Sequence, residues 1–249
     1  MNRTVAVIPA RYGSSRLPAK ALADIAGQPM IVRVARRAAL CSKIQEIFVA
    51  TDHHDIKEAA EEAGFQAVMT SPDHTSGTDR IAEACSILGL SDQTLVVNIQ
   101  GDQPLVEPSA IEAMIQLMES DSGLDMATVA CPMKPEEIDN PNRVKVVVDG
   151  RGRALYFSRA AIPFDRDGDH GPDIYLRHLG LYTYRRSFLR RFTSLAPARL
   201  ETIEKLEQLR ALENGYSIGV AVVASAPPEV DTEEDLRQVK AIVSREASG

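Results

Sequence analysis

Runs of apolar residues alternate with amphipathic stretches through the first half of the chain. Four runs are nearly all apolar and predict buried strands, whereas three stretches repeat apolar residues every three or four positions and predict helices. The predicted strands are TVAVIPA, EIFVATD, QAVMT and TLVVNIQGD, and the helices between them are MIVRVARRAAL, DIKEAAEEAG and TDRIAEACSILG. Apolar strands that are each followed by a helix indicate a parallel sheet covered on both faces.

The pattern changes from about residue 126. MATVACPM, RVKVVVD and ALYFSRA predict strands separated by turns such as Asp149-Gly150, so some antiparallel pairing is expected. LETIEKLEQLRALENG predicts one helix closed by Gly215, IGVAVVAS a strand, and DTEEDLRQVKAIVSRE a last amphipathic helix. Because there are neither repeats nor long linkers, we predict one α/β domain with a mixed, mostly parallel, doubly wound sheet.

Composition narrows the classes of function. The 249 residues can bury a full core, and 44% hydrophobic residues with 25% charged residues is typical of a globular protein. A net charge of −7 disfavours a general binder of nucleic acid or of anionic membranes. No apolar run approaches the roughly 18 residues of a membrane span, and no signal-peptide pattern is present. Cys41, Cys85 and Cys131 are too scattered for a disulfide framework or a zinc site, so we expect a cytoplasmic protein with reduced thiols.

Charge is concentrated in the loop PARYGSSRLPAK, which directly follows the first predicted strand. Arg11, Arg16 and Lys20 offer cations suited to phosphate oxygens, and Gly13 and the serines allow a ligand to approach the backbone. Neither GxGxxG nor GxxxxGK[ST] is present, which disfavours a dinucleotide dehydrogenase and a P-loop NTPase. The alternative is a solvated basic turn, but three cations after a buried strand favour a polyphosphate site.

Three further polar stretches are candidates for the same site. Asp102 in NIQGDQP follows a predicted strand and suits Mg²⁺, although a turn residue bonded to its own backbone is the alternative. Asp231 in EVDTEEDL is a second candidate metal ligand or a helix cap. Ser76 to Thr78 in SPDHTSGTDR precede a helix and could bind a base or a phosphate, or only cap that helix.

A set of motifs, in this order along the chain, resembles the 3-deoxy-manno-octulosonate cytidylyltransferases, also called the CMP-Kdo synthetase family, where Kdo is the octulosonate. The resemblance extends from about Val5 to Leu236. Its motifs are IPARYGSSRLPAK, ATDHHDI, SGTDRIAE, VNIQGDQP, YFSRAAIPFDR, RHLGLYTYRRSFL, LETIEKLEQLR and VDTEEDL. It implies a nucleotidyltransferase-type α/β fold, a homodimer, and the Mg²⁺-assisted reaction of CTP with Kdo to give CMP-Kdo and pyrophosphate for lipopolysaccharide synthesis.

The resemblance also implies roles for individual residues. It implies that Lys20, Arg11 and Arg16 stabilise charge during catalysis and that Asp102 and Asp231 hold Mg²⁺. The implied nucleotide-binding residues are Pro9, Ala10, Arg11, Ser14, Arg16, Lys20, Ser76, Gly77, Thr78, Arg80 and Gln100. The implied sugar-binding residues are Gln100, Arg159, His178, Tyr182, Glu204 and Gln208, with Arg159 on the sugar carboxylate.

These roles divide the predicted domain into parts. Nucleotide binding is expected at about residues 1–125, sugar binding and dimerisation at about 126–225, and a C-terminal helix that returns to the metal site at about 231–246. Glu204 and Gln208 are four residues apart, so on one continuous helix they would share a face. Without the resemblance, an exposed helix stripe would explain that pair, and an amphipathic packing face would explain His178 and Tyr182.

Departures from the family pattern leave the substrate open. Ala19 and Ala21 stand where the family has RLPGKPL, Gln103 replaces the glutamate of QGDEP, and Phe164 replaces a common tryptophan. The stretch from Arg166 to Tyr175 is also shorter than the corresponding stretch of the family. We therefore expect Kdo or 8-amino-Kdo as the acidic sugar.

Three other functions compete with this interpretation. One is another nucleotidylyltransferase, acting on sialic acid or a hexose 1-phosphate, and a second is a CTP-binding regulator without catalysis. A structural dimerisation protein is the third, but it would leave the cationic loop unexplained.

Overall fold

The computed structural model describes residues 3–13 and 17–246 of the chain. The chain divides into two compact units, of which the first comprises residues 1–112 and 227–249 and the second residues 113–226. That all 249 residues act as one domain stays a prediction. No helix within the described residues is long and apolar enough to cross a membrane.

Strands and helices alternate along the first unit, as the sequence predicts. They are β1 (Thr4–Ala10), β2 (Asp24–Ile25), β3 (Gln28–Pro29), α1 (Met30–Ala39), β4 (Glu46–Thr51), α2 (His54–Glu62), β5 (Gln66–Met69), α3 (Gly77–Ile87) and β6 (Leu95–Asn98). The next helix, α4 (Pro108–Ser120), begins in the first unit and ends in the second. Four strands form a parallel sheet in the order β6-β1-β4-β5, with Val5 opposite Glu46 and Thr4 opposite Leu95. Parallel strands align their carboxyl ends, so the loops after β1, β4, β5 and β6 emerge at one edge of the sheet.

The second unit contains mixed pairing. Its elements are β7 (Met126–Pro132), β8 (Lys145–Val148), β9 (Ala154–Ser158), β10 (Leu176–Arg185), α5 (Arg186–Ser194), α6 (Arg199–Glu204), α7 (Leu209–Glu213) and β11 (Ile218–Val222). β11 runs parallel to β7, whereas β10 is antiparallel to both β7 and β8, and β8 and β9 form a hairpin. The predicted class, a mixed and mostly parallel α/β fold, is confirmed.

The last helix, α8 (Glu233–Glu246), belongs to the first unit. Val230, Leu236, Val239 and Val243 are buried in a core cluster. The other buried members of that cluster are Leu17, Ile25, Met30 and Leu105. Each such side chain contributes about 1.5–3 kcal/mol when it is removed from water. This packing fixes the N-terminus of α8 beside the loop that follows β1.

The predicted continuous helix over residues 200–215 is wrong. α6 ends at Glu204, Lys205 adopts a left-handed conformation with φ of 55°, and α7 begins at Leu209. In an unbroken helix the carbonyls of Glu204 and Lys205 would accept bonds from residues 208 and 209. Here the Arg159 guanidinium donates to both carbonyls, at 2.7 and 3.3 Å. Tertiary bonds therefore replace helical ones at this point.

Five elements of the structure are absent from the prediction, namely β2, β3, α4, β10 and α5. β10 alternates buried and more exposed residues along most of its length, which is the period-two signal of a strand. The prediction that Gly215 closes the helix before it is confirmed, because Gly215 follows α7 with φ of 78°.

Candidate active site

A cavity of about 300 Å³ lies in the first unit, where β1 and β6 end. That volume is at the small end of the range typical of ligand sites. Its lining residues are Pro9, Ala10, Arg11, Lys20, Ala21, Met30, His74, Thr75, Ser76, Gly77, Arg80, Gln100, Gly101, Asp102 and Asp231. The structure thus brings most of the predicted nucleotide and metal residues around one space. Thr78 is buried in the first turn of α3, and Ser14 and Arg16 lie outside the described residues.

Close backbone packing shapes the floor of the cavity. A Cβ atom at Gly101 would lie only 2.8 Å from the carbonyl oxygen of Pro9, and one at Gly77 would lie 3.3 Å from the Pro9 ring. Any larger residue at position 101 would push the turn after β6 away from the end of β1. Glycine is required there because two backbone segments meet, which adds a physical reason to the tight turn expected from the sequence.

Lys20 stands between two carboxylates at one side of the cavity. Its Nζ donates to Asp102 Oδ2 at 2.8 Å and to Asp231 Oδ1 at 3.1 Å. Lys20 begins a short 3-10 helix, and Ala19 before it has φ of 51°, a left-handed conformation that disfavours alanine by about 1–2 kcal/mol. Glycine would adopt this conformation without that penalty.

The carboxylates of both aspartates bond to Lys20, and the residue after Asp231 caps α8. Thr232 Oγ1 accepts the amide of Asp235 at 3.2 Å, and Asp235 Oδ2 accepts the amide of Thr232 at 2.8 Å. This reciprocal pair is a capping box, so Thr232 caps α8 and the Asp231 carboxylate bonds to Lys20 instead. For Ser76 the capping alternative is correct, because its Oγ accepts the Asp79 amide at 3.0 Å.

The donor set at Lys20 fits a magnesium ion. Mg²⁺ prefers oxygen ligands and is usually held by one or two carboxylates together with substrate phosphates. Asp102 and Asp231 supply two carboxylates that converge on one ammonium nitrogen. Within residues 3–13 and 17–246, no cluster of three or more His, Cys, Asp or Glu side chains is arranged for a metal. The pair of carboxylates beside the cationic loop is therefore the candidate magnesium site.

Arg80 lines the cavity, yet its guanidinium is almost fully buried. It donates to Asp52 Oδ2 at 2.9 Å, to Thr70 Oγ1 at 2.6 Å and to the carbonyl oxygen of Ser71 at 3.3 Å. Asp52 is not among the site residues predicted from the sequence. Its position directly after β4, at the same sheet edge as the cationic loop, is the signal that could have identified it.

In the second unit, β10 carries two of the predicted sugar residues. Thr128 Oγ1 donates to the carbonyl oxygen of Leu181 at 2.6 Å and lies 2.9 Å from His178 Nε2. Because a hydroxyl has one proton, His178 Nε2 must carry the proton of the second bond. Burial, together with the charge of Arg177, lowers the pKa of His178 to about 3, which keeps the imidazole neutral.

Tyr182, which is partly buried, and the buried Gln208 form a second hydrogen-bonded pair in this unit. The Tyr182 hydroxyl donates to Gln208 Oε1 at 3.1 Å. Burial raises the pKa of Tyr182, so this hydroxyl keeps its proton. Gln208 is 4% exposed, and its Nε2 atom has no hydrogen-bond partner among the described residues. A buried donor without an acceptor is costly, by about 1–3 kcal/mol, unless a ligand satisfies it.

Arg159 and Glu204 form a separate hydrogen-bonded cluster. Besides the carbonyls of Glu204 and Lys205, the Arg159 guanidinium donates to the carbonyl oxygen of Pro141 at 2.9 Å. The Glu204 carboxylate accepts from Ser158 Oγ at 2.6 Å and from the Arg159 amide at 2.9 Å. Glu204 and Gln208 thus do not share one helical face, because the break at Lys205 separates them. That expectation is corrected.

A fully buried lysine, Lys145, which was not predicted as a site residue, bonds to the backbone of this cluster. Lys145 Nζ donates to the carbonyl oxygens of Asn140 and Arg159 at 3.1 and 2.5 Å. Burial lowers the pKa of Lys145. Nothing in the run VKVVV distinguishes it from a lysine at the surface of a strand.

Comparison with known proteins assigns the chain to a family. Residues 5–218 match the sequence profile of the family described as Cytidylyltransferase. A relative from Shewanella pealeana, named 8-amino-3,8-dideoxy-manno-octulosonate cytidylyltransferase, is 54% identical over 239 residues, which are 95% of this chain and 96% of the relative. A relative from Syntrophobacter fumaroxidans, named 3-deoxy-manno-octulosonate cytidylyltransferase, is 50% identical over 250 residues and 99% of each chain.

Solved structures agree with these relatives. The structure described as CMP:2-keto-3-deoxy-manno-octonic acid synthetase complexed with CTP has a TM-score of 0.94 and 42% identity, and it covers 98% of this chain and 100% of its own. A cytidylyltransferase from Leptospira borgpetersenii shares the fold, with a TM-score of 0.65, 15% identity and coverage of 98% of this chain and 88% of its own. The resemblance drawn from the motifs is confirmed: the chain belongs to the CMP-Kdo synthetase family of cytidylyltransferases.

Proposed function

We propose that this cytidylyltransferase moves CMP from CTP to 3-deoxy-D-manno-octulosonate and releases pyrophosphate, the activation of the sugar for lipopolysaccharide synthesis. The observation that carries the proposal is Lys20, held between Asp102 and Asp231 at a cavity that the cationic loop also lines. A relative of 50% identity over 99% of the chain, named for this reaction, supports it.

The chemistry asks mainly for positioning and for cations. The anomeric hydroxyl attacks the α-phosphate of CTP, and the bond to pyrophosphate breaks. Negative charge develops on the phosphoryl oxygens and on the leaving group, so fixed cations lower the barrier. We assign this role to Lys20 and Arg11 at the cavity, and to Arg16 and Ser14 in the same loop. Bound Mg²⁺, held by Asp102 and Asp231, would neutralise part of the triphosphate charge.

The remaining nucleotide contacts come from the walls of the same cavity. Pro9, Ala10 and Gln100 stand at the ends of β1 and β6, and Gly77 begins α3. Exposed backbone groups at strand ends and at a helix start can bind a base or a ribose without a charged side chain. We assign the nucleoside to these residues, with Ser76 and Thr78 shaping the turn and Arg80 supporting it.

The sugar contacts are proposed for the second unit and for Gln100. Gln208 Nε2, a buried donor without an acceptor among the described residues, is suited to a sugar hydroxyl. Tyr182 and the neutral His178 are neighbours, with ring centres 5.4 Å apart, and they supply further donors and acceptors. Arg159 and Glu204 complete the set, with Arg159 as the group for the sugar carboxylate.

The 8-amino sugar is a second candidate substrate. Several relatives at 53–54% identity are named 8-amino-3,8-dideoxy-manno-octulosonate cytidylyltransferases. The two sugars differ in one group, a hydroxyl or an ammonium, so the reaction and the nucleotide site are the same for both.

The assembly and the compartment are also part of the proposal. The family resemblance implies a homodimer, and light scattering would measure its mass. Cys41, Cys85 and Cys131 are buried and free of disulfides, which agrees with a reducing compartment such as the cytoplasm.

The test is pyrophosphate release from CTP and Mg²⁺ with Kdo, 8-amino-Kdo and sialic acid offered in parallel. Turnover with either octulosonate and none with sialic acid supports the proposal, and the preferred octulosonate identifies the substrate. Turnover only with sialic acid contradicts the assigned sugar. CTP binding without turnover on any of the three would favour a non-catalytic nucleotide binder.

A further inference from the structure

Asp52 links two segments that border the nucleotide cavity. Its carboxylate is 13% exposed and lies directly after β4. Oδ1 accepts the backbone amide of Tyr12 at 3.0 Å, and Oδ2 accepts the Arg80 guanidinium at 2.9 Å. One side chain therefore joins the cationic loop after β1 to the start of α3. Asp52 itself is not among the residues that line the cavity.

The Arg80 end of this link is rigid. The Arg80 side chain is 3% exposed, and it also donates to Thr70 Oγ1 and to the carbonyl oxygen of Ser71. These bonds tie Arg80 to the segment that follows β5. A buried guanidinium needs a counter-charge, and Asp52 is the carboxylate bonded to it. The bond to Arg80 thus holds the Asp52 carboxylate in place, so that its other oxygen can accept the Tyr12 amide.

A second contact holds the loop at the same residue. The Tyr12 ring stacks on the His53 imidazole with ring centres 3.7 Å apart and planes 15° from parallel. His53 is in turn fixed as the N-cap of α2, because its Nδ1 accepts the Asp55 amide at 3.3 Å. Two adjacent residues after β4 therefore hold Tyr12, one through its backbone and one through its ring.

Tyr12 lies next to Arg11, which lines the cavity, and belongs to the same loop as Lys20, eight residues further along the chain. We propose that Asp52 and His53 are positioning residues that anchor the cationic loop at Tyr12 and so set the geometry in which the loop binds the triphosphate. This inference rests on the proposed function only in taking CTP as the ligand. It assigns neither residue a contact with the nucleotide.

Asparagine at position 52 separates the two bonds of the carboxylate. It keeps the size of aspartate but offers one acceptor and one N–H donor group, so either the Tyr12 amide or Arg80 must face a donor. A hydrogen bond to a charged group is worth about 1.5–3 kcal/mol, which corresponds to roughly 10- to 100-fold in an equilibrium. We expect Asp52→Asn to weaken CTP binding at least about tenfold.

The experiment measures the CTP Kd by calorimetry without sugar, and then KM and kcat with sugar. The wild type is compared with Asp52→Asn and with Asp24→Asn, a control that removes an exposed carboxylate of the same unit. We expect Asp52→Asn to raise the Kd and KM for CTP, with the sugar KM within about twofold of the wild type. Equal Kd values for CTP would overturn the inference. Unequal sugar KM values with an unchanged CTP KM would also overturn it.

A second variant keeps the test decisive if Asp52→Asn does not fold. Tyr12→Ala removes an exposed ring and leaves the backbone amide, so only the stacking on His53 is lost. A rise of about threefold or more in the CTP Kd supports the anchor, and an unchanged Kd contradicts it. A wild type that binds CTP but turns over no sugar would defeat the proposed function and leave this binding test valid.

Discussion

Replacing Lys20 by methionine removes one ammonium and keeps a side chain of similar length. In the wild type, Nζ lies 2.8 Å from Asp102 and 3.1 Å from Asp231. The variant leaves these two carboxylates facing one another without a cation between them. Both the stability of the fold and the turnover should decrease, and the expected decreases differ in size.

The stability change should be the smaller one. The side chains are 19%, 31% and 40% exposed, so each ion pair is worth at most about 1 kcal/mol. Losing both pairs removes at most about 2 kcal/mol, or about 4–8 °C in Tm for a chain of this size. Removing one preorganised donor from a developing charge typically lowers kcat by about 10²–10³, equivalent to about 2.7–4 kcal/mol. The variant should therefore be folded and nearly inactive at 25 °C.

The assay is kcat from pyrophosphate release, measured beside thermal melting with and without Mg²⁺. Lys57→Met is the matched control, because Lys57 forms a partly exposed ion pair with Glu61 on α2 and does not line the cavity. The control should keep kcat within about twofold of the wild type. Mg²⁺ should raise the Tm of Lys20→Met more than that of the wild type, because it replaces the lost cation. A kcat for Lys20→Met within about threefold of the wild type would refute the role of Lys20.

Asp102→Asn should lower activity and shift the Mg²⁺ titration to higher concentration, because one carboxylate ligand is lost. Asp92→Asn, which changes an exposed carboxylate, is the control. An unchanged Mg²⁺ titration would show that Asp102 is not a metal ligand. Arg159→Lys should raise the sugar KM far more than the CTP KM, since one ammonium cannot replace a guanidinium bonded to three carbonyls, and equal effects on both would contradict this. The pKa of His178 is about 3 in the folded protein and about 6.5 unfolded, so the unfolded chain gains its proton first and stability falls below about pH 6.5. Urea unfolding at pH 8 and pH 5 should show a loss of at most about 2 kcal/mol that His178→Asn lacks, and identical losses in both proteins would disprove it.

The parallel sheet of the first unit could be predicted because its strands are apolar on both faces and its helices have a clear period. β10 has an equally clear period of two, yet its residues entered the sequence analysis only as a family motif. The break between α6 and α7 could not be predicted in the same way. The residues around Lys205 continue a helical pattern, and the bonds from Arg159 that end the helix come from a residue 45 positions away.

The candidate site shows the same limit. Strand ends and the family motifs indicated Lys20, Asp102 and Asp231 separately. Their convergence depends on the packing of α8 in the core cluster of Leu236 and Val239, which no local pattern encodes. Asp52 was missed because an aspartate after a strand is common, and only the structure shows that both of its oxygens are used.

The central claim is that the anomeric oxygen of the octulosonate becomes bonded to the α-phosphorus of CTP. The most direct measurement uses Kdo labelled with ¹⁸O at the anomeric hydroxyl and follows the label by mass spectrometry. We expect labelled CMP-Kdo and unlabelled pyrophosphate to form in equal amounts. Two results would contradict the proposed attack by the anomeric oxygen. One is the release of pyrophosphate together with free CMP in place of CMP-Kdo. The other is CMP-Kdo that lacks the label to the same degree at every enzyme concentration.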